Sequence, residues 1–111
     1  MASPSEPLSR DLLLEQLSDA LLVPTDHAEM AALLSDLCTP AELHSLAERW
    51  QVARLLDTTD KSYREIHDDT GVSTTTIVRV ARFLKHEPHL GYRRTLDAVK
   101  SRQNKGARDV R

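Results

Sequence analysis

Residues 62–85 read SYREIHDDTGVSTTTIVRVARFLK and contain two short helical patterns separated by a turn at Gly71. Ser62 and Glu65 stand three residues apart, the spacing of a capping box, which predicts that the first helix begins there. Glycine readily adopts the left-handed backbone that ends a helix, and Ser73 is a good N-cap for the second helix. Two short helices joined by a three-residue turn with glycine indicate a helix-turn-helix, whose second helix enters the major groove of DNA.

The second of these helices has one apolar and one polar side. The apolar side chains expected to pack the two helices together are Ile66, Val72, Ile77 and Val80. The side chains that we expect at the DNA are Ser62, Tyr63, Arg64, His67, Ser73, Thr74, Thr75, Thr76, Val78, Arg79, Arg82 and Lys85. The alternative is an αα-hairpin in which the threonines form only a solvated cap. His67 in particular either contacts phosphate or is merely exposed.

Helical patterns also cover most of the remaining chain. Three glycines and five prolines leave few helix breakers among many good helix formers. Apolar spacing predicts four further helices, at about residues 7–22, from Asp26 to Leu37, from Pro40 to the polar loop at 58–61, and from about Leu90 to Arg102. The clearest boundary is at Thr39, which caps the third helix while Glu42 reaches back. The sequence therefore predicts an all-α fold with six helices.

Charge is distributed unevenly along the chain. Residues 1–60 hold three Lys or Arg and eleven Asp or Glu, a net charge of −8, whereas residues 61–111 hold twelve and six, a net charge of +6. The basic half contains the helix-turn-helix, although solvated helix faces would also explain the charges. We predict a disordered lead at 1–6, one DNA-binding domain at 7–102 and a basic, flexible tail at 103–111.

Several other classes of protein are disfavoured. A single cysteine, Cys38, cannot form an internal disulfide, and no apolar run is long enough for a membrane span or a secretory signal, so we expect a cytoplasmic protein. His86 and His89 flank Pro88, which breaks the helix that would align them, and no third ligand has zinc-like spacing. We therefore predict no metal, no cofactor and no enzymatic activity, because no nucleophile and base are paired.

A set of motifs resembles the Trp repressor superfamily, most strongly its small YerC/YecD-type branch. They are DLCTPAE (36–42), SLAER (45–49), VARLL (52–56), YREI (63–66) and TGVSTTTIVRV (70–80). The resemblance covers about residues 30–100. It implies an intertwined homodimer whose N-terminal helices build a shared core, with two helix-turn-helix units placed for successive major grooves.

The resemblance also implies a position for a small-molecule effector. In the Trp repressor, tryptophan lies between the core and the helix-turn-helix, and the matching positions here are Thr39, Arg49, Arg79, Val80 and Phe83. Small glycines of the family correspond to Ala47 and Val80, and a serine corresponds to Phe83. We expect Val80 and Phe83 to fill the space of the indole, so that the protein does not depend on tryptophan. Arg49 and Arg79 would otherwise pair with acidic residues or phosphate.

These observations predict a sequence-specific transcriptional regulator, a repressor, that binds double-stranded DNA as a homodimer. The alternative is a helical dimer that binds a partner protein through its apolar N-terminal helix, without any role for DNA. A stable oligomer that never binds DNA would favour this alternative. The operator and any effector other than tryptophan stay open.

Overall fold

A computed structural model describes the backbone of residues 7–109 and the side chains of residues 7–104. Within this range the chain forms six α-helices and no strand: α1 (Arg10–Leu21), α2 (His27–Leu37), α3 (Pro40–Thr58), α4 (Tyr63–Thr70), α5 (Thr74–Lys85) and α6 (Gly91–Asp109). The predicted all-α fold with six helices is confirmed. The predicted lead at 1–6 lies outside the described residues. The chain forms two compact units, which meet in sequence between Leu43 and His44.

Capping side chains begin the helices of the N-terminal unit. Ser9 accepts a hydrogen bond from the Leu12 N–H at 3.2 Å, so α1 begins at Arg10, three residues later than predicted. The predicted box at the start of α3 is confirmed, since Thr39 Oγ1 accepts from the Glu42 N–H at 3.1 Å and Glu42 Oε1 accepts from the Thr39 N–H at 2.9 Å. The bond from the Thr39 backbone lowers the pKa of the Glu42 carboxyl, because it stabilises the charged form.

None of the described residues of the N-terminal unit, 7–43, is buried. Neither α1 nor α2 contains a buried residue, although both are rich in leucine. Leu22, at the end of α1, is 82% exposed, and Leu13 and Leu14 also lie exposed. A single chain therefore leaves an apolar surface on these helices in contact with water.

The C-terminal unit has a compact hydrophobic core. Its buried members are Val52 and Ala53 on α3, Ile66 on α4, Val72 in the turn, Ile77 and Val80 on α5, and Leu96 on α6. The four residues predicted to pack α4 against α5 are all among them. Trp50 and Tyr92 stack beside this core with ring centroids 6.5 Å apart. Burial of the valine, isoleucine and leucine side chains of this core fixes the position of α5, since each of them contributes about 1.5–3 kcal/mol on leaving water.

An ionic network joins the end of α3 to α6. Asp57, whose side chain is 9% exposed, accepts a hydrogen bond from Arg93 Nη1 at 2.9 Å. Lys100 Nζ lies 2.5 Å from the other carboxylate oxygen, as an ion pair without a well-aligned hydrogen bond. Arg93 also pairs with Asp97 at 2.7 Å. The hydrogen bond from Arg93, followed by the contact with Lys100, holds the pKa of Asp57 below its usual value.

The predicted end of the sixth helix near Arg102 is wrong. The helix continues to Asp109, because no proline follows Arg102 and most of the next residues are compatible with a helix. Gly106 within this stretch weakens a helix without ending it. The flexibility of the basic tail in solution stays a prediction.

Candidate DNA-reading helix-turn-helix

The first helix of the pair, α4, begins at a complete capping box. Ser62 Oγ accepts a hydrogen bond from the Glu65 N–H at 3.1 Å, and Glu65 Oε1 accepts from the Ser62 N–H at 3.4 Å. These two bonds satisfy backbone donors that the helix itself leaves free. The predicted start of α4 is therefore confirmed, and the side chains of Ser62 and Glu65 are used in holding it.

The turn between α4 and α5 is fixed by glycine and by two side chains. Gly71 has φ +77°, the left-handed conformation predicted for it, and its N–H donates to the His67 carbonyl at 2.8 Å. Thr70 Oγ1 donates to the Ile66 carbonyl at 2.6 Å and accepts from the Val72 N–H at 3.1 Å. His67 Nδ1 lies 2.7 Å from the Val72 carbonyl oxygen, where it donates. His67 thus holds the turn, a role that neither of its two predicted readings included.

The second helix, α5, is capped by Ser73. Ser73 Oγ accepts from the Thr76 N–H at 3.2 Å and donates to the Thr76 hydroxyl at 3.0 Å. Ile77, Val80 and Ala81 are buried on the inner side of the helix. The first turn therefore faces outward with Thr74 and Thr75, while Thr76 is half-buried.

The predicted DNA-facing residues share one property: all except Thr76 are exposed. The exposed members are Ser62, Tyr63, Arg64, His67, Ser73, Thr74, Thr75, Val78, Arg79, Arg82 and Lys85. In the helix-turn-helix the buried side chains are apolar, and the exposed ones are mainly polar, with Tyr63 and Val78 as the apolar exceptions. Contact of these residues with DNA stays a prediction.

Two of the basic residues on α5 already have partners within the chain. The Arg79 guanidinium lies 4.4 Å from the centre of the Phe83 ring, a cation–π contact. Arg82 Nε donates to Glu87 Oε1 at 2.7 Å. Among the described side chains, Arg64 and Lys85 form no ion pair.

Sequence patterns did not identify Glu87 or Lys61 as parts of this region. Glu87 lies beyond the end of α5, and the N–H groups of His86 and Glu87 both donate to the Arg82 carbonyl, which turns the chain back toward Arg82. Lys61 contacts the Asp69 carboxylate, and this hydrogen bond raises the pKa of Lys61. Neither pair has helical i, i+4 spacing, so no periodicity signalled them.

A cavity of about 560 Å³ lies beside α5 in the C-terminal unit. Its lining residues are Leu46, Arg49, Trp50, Arg79, Phe83, His89, Gly91, Tyr92 and Thr95. Phe83 and His89 stack with ring centroids 6.0 Å apart. The walls thus combine aromatic rings with two guanidinium groups.

Three of the five predicted effector positions line this cavity, namely Arg49, Arg79 and Phe83. Val80 does not line it: Val80 is fully buried in the core, because it lies on the same side of α5 as Ile77. That Val80 and Phe83 fill the space of an indole stays a prediction. Thr39 belongs to the N-terminal unit, where its side chain caps α3.

The described residues contain no group of three or more His, Cys, Asp or Glu side chains arranged to hold a metal ion. None of the described helices is both long and apolar enough to cross a membrane.

Known proteins resemble this chain in sequence and in structure. The Trp repressor protein family matches residues 13–100. The uncharacterized protein YerC of Bacillus subtilis (strain 168) is 38% identical over 94 residues, which cover 85% of this chain and 88% of YerC.

Solved structures give the same result. The crystal structure of a TrpR-like protein from Eubacterium eligens ATCC 27750 is 35% identical, with a TM-score of 0.75, and the match covers 82% of this chain and 92% of that protein. The crystal structure of a Staphylococcus aureus protein has the same identity and TM-score, and the match covers 82% of this chain and 89% of that protein. The fold is therefore TrpR-like, and the chain belongs to the Trp repressor family.

Proposed function

We propose that this protein is a sequence-specific DNA-binding regulator of transcription, acting as a repressor, which inserts α5 into the major groove. The observation that carries the proposal is the exposed outer side of α5, which lies over a fully buried inner side. Its hydroxyls follow a capped N-terminus, where free N–H groups suit phosphate. Twelve of the fifteen Lys and Arg residues lie from residue 61 onward, and the Trp repressor family is a class of helix-turn-helix regulators.

The proposed DNA-binding species is a homodimer. The exposed large apolar side chains of the N-terminal unit support it: Leu8, Leu12, Leu13, Leu14, Leu17, Leu22, Val23 and Leu37. A second copy of the chain would remove this surface from water, and burial of apolar surface is the main favourable contribution to association. A two-fold dimer would also present two copies of α5 to successive major grooves.

We further propose that tryptophan is not required. The Arg79 guanidinium already contacts the Phe83 ring at 4.4 Å, and the resemblance to the Trp repressor assigns both residues to the surroundings of the ligand. Isothermal calorimetry with L-tryptophan is expected to give no saturable heat, and L-tryptophan is expected to leave DNA affinity unchanged. Saturable heat together with a rise in DNA affinity would contradict this part of the proposal.

The main test is a selection of bound sequences from random duplex DNA at about physiological salt. Sequence-specific proteins of this class bind their sites at about 10⁻⁸–10⁻¹¹ M under such conditions, whereas nonspecific binding is much weaker. A palindrome with half-sites about one helical turn apart is the expected result. Recovery of no preferred sequence would contradict the proposal.

Thr75→Glu provides a matched variant for this selection. Thr75 is exposed in the first turn of α5, where a negative charge favours the helix because it interacts well with the helix dipole. The same charge would repel phosphate. The variant is therefore expected to keep its helical content and its thermal stability while it loses the selected site. Full binding by Thr75→Glu would show that α5 is not in the groove.

The exposed leucines also fit a second function, that of a protein-interaction module. In that case the wild-type protein and Thr75→Glu would form the same oligomers and would both leave DNA unshifted at low salt. A single electrophoretic mobility experiment with DNA therefore distinguishes the DNA-binding regulator from the protein-interaction module.

A further inference from the structure

The exposed side of α5 offers few groups that can recognise a purine. Specific contacts to guanine use Arg or Lys, and contacts to adenine use Asn or Gln. Before Arg79, α5 contains no Arg, Lys, Asn or Gln, and the Arg79 guanidinium lies over the Phe83 ring. Arg82 is paired with Glu87 at 2.7 Å. The exposed groups near the start of α5 are therefore hydroxyl and methyl groups.

Val78 is an aliphatic side chain on this otherwise polar side. It is 54% exposed, although Ile77 and Val80 on either side of it are fully buried. Thr74 lies one helical turn before it and Arg82 one turn after it, so Val78 occupies the middle of the exposed side. Its two methyl groups would be the apolar centre of any contact that α5 makes with the edges of bases.

We infer that Val78 recognises a thymine through the C5-methyl group in the major groove. Only thymine among the four bases carries a methyl group there, and apolar side chains read it by direct contact. This inference rests on the proposed function and adds the class of base that α5 selects. Each half-site of the operator then contains at least one thymine whose methyl group contributes to affinity.

Deoxyuridine tests the inference because it lacks only the methyl group of thymine and keeps the same hydrogen-bonding edges. Each thymine of the selected half-site is replaced by deoxyuridine in turn, and dissociation constants are measured by fluorescence anisotropy. At one thymine of each half-site, removal of the buried methyl group is expected to weaken binding about fourfold. The Val78→Ala variant is expected to bind the thymine site more weakly and to show no further loss with deoxyuridine there.

Two other variants test whether the effect is specific to Val78. Leu90→Ala shortens an exposed aliphatic side chain of the C-terminal unit outside α5 and is expected to keep the fourfold effect of deoxyuridine. Val78→Asn provides the two hydrogen bonds that adenine accepts and donates, so selection with this variant is expected to replace that thymine by adenine.

The possible failures of the inference and of the proposed function are distinct. A selected palindrome whose thymines all tolerate deoxyuridine would overturn the inference and leave the proposed function standing. Equal sensitivity to deoxyuridine in wild type and Val78→Ala would do the same. Absence of any selected sequence would overturn both.

Discussion

Arg82 on the last turn of α5 donates through Nε to Glu87 Oε1 at 2.7 Å, although Glu87 lies outside the helix. In a DNA complex of the proposed kind, a phosphate would have to compete with this carboxylate for the guanidinium. Glu87 is therefore expected to lower the attraction of α5 for any DNA, whatever its sequence, because it compensates the charge of a guanidinium on the proposed DNA-binding helix.

Replacement of Glu87 is expected to raise nonspecific affinity. In Glu87→Gln the charge of Arg82 is no longer compensated, so affinity for random duplex at low salt should rise about threefold to tenfold. The slope of log affinity against log salt concentration should also become steeper, by up to about one unit. Fluorescence anisotropy across a salt series measures the affinity and its salt dependence. Glu15→Gln changes the net charge equally on α1, where no described cation pairs with Glu15. Equal gains in the two variants would show that net charge alone is responsible.

Asp57 is expected to stabilise the fold in a pH-dependent manner. Its pKa is held low by Arg93 and then Lys100, so it contributes stability above its unfolded pKa, and this contribution is lost as the pH falls through the folded value. Asp57→Asn should therefore lower the free energy of unfolding by about 1–3 kcal/mol at pH 7, with a difference that shrinks below about pH 4. Urea denaturation at pH 7, 5 and 3 measures it.

Asp97→Asn is the matched variant for this network. It removes an exposed partner of the same Arg93, so the expected loss at pH 7 is only about 0–1 kcal/mol. A loss from Asp57→Asn no larger than that from Asp97→Asn would contradict the role of the buried carboxylate.

Gly71 is expected to be required for its backbone conformation alone. A Cβ atom at either Gly71 or Gly91 would meet no atom within 4 Å, but only Gly71 has a positive φ, at +77°. Gly71→Ala should thus cost about 1–2 kcal/mol of unfolding free energy, whereas Gly91→Ala, in a helix, should be neutral or stabilising. Thermal unfolding followed by circular dichroism compares them, and equal stability of the two variants would contradict the argument.

The helix starts at Thr39, Ser62 and Ser73 and the core of the helix-turn-helix could be predicted because they depend on neighbouring residues. Capping by Thr39, Ser62 and Ser73 follows from side-chain and backbone geometry over three residues. The burial of Ile66 and Ile77 follows from helical periodicity. These local rules apply before any tertiary contact is known.

Contacts that cross the fold were not predictable in the same way. Asp57 and Arg93 are 36 residues apart, and only the packing of α6 against the end of α3 brings them together. Leu90 adopts φ +60° before α6, a conformation that sequence rules assign to glycine.

Leu13 is expected to lie in the interface of the proposed homodimer. It is 53% exposed on α1, almost the same as Val78 on α5 at 54%, so a lysine at either position meets a similar environment in a single chain. Only at an apolar interface would the charge have to leave water, at a cost of several kcal/mol. Sedimentation equilibrium is therefore expected to show a dimer for wild type and Val78→Lys and a monomer, or a much weaker dimer, for Leu13→Lys. An unchanged dimer in Leu13→Lys would place the interface elsewhere, and a monomeric wild-type protein would exclude the proposed arrangement of two α5 helices on one palindrome.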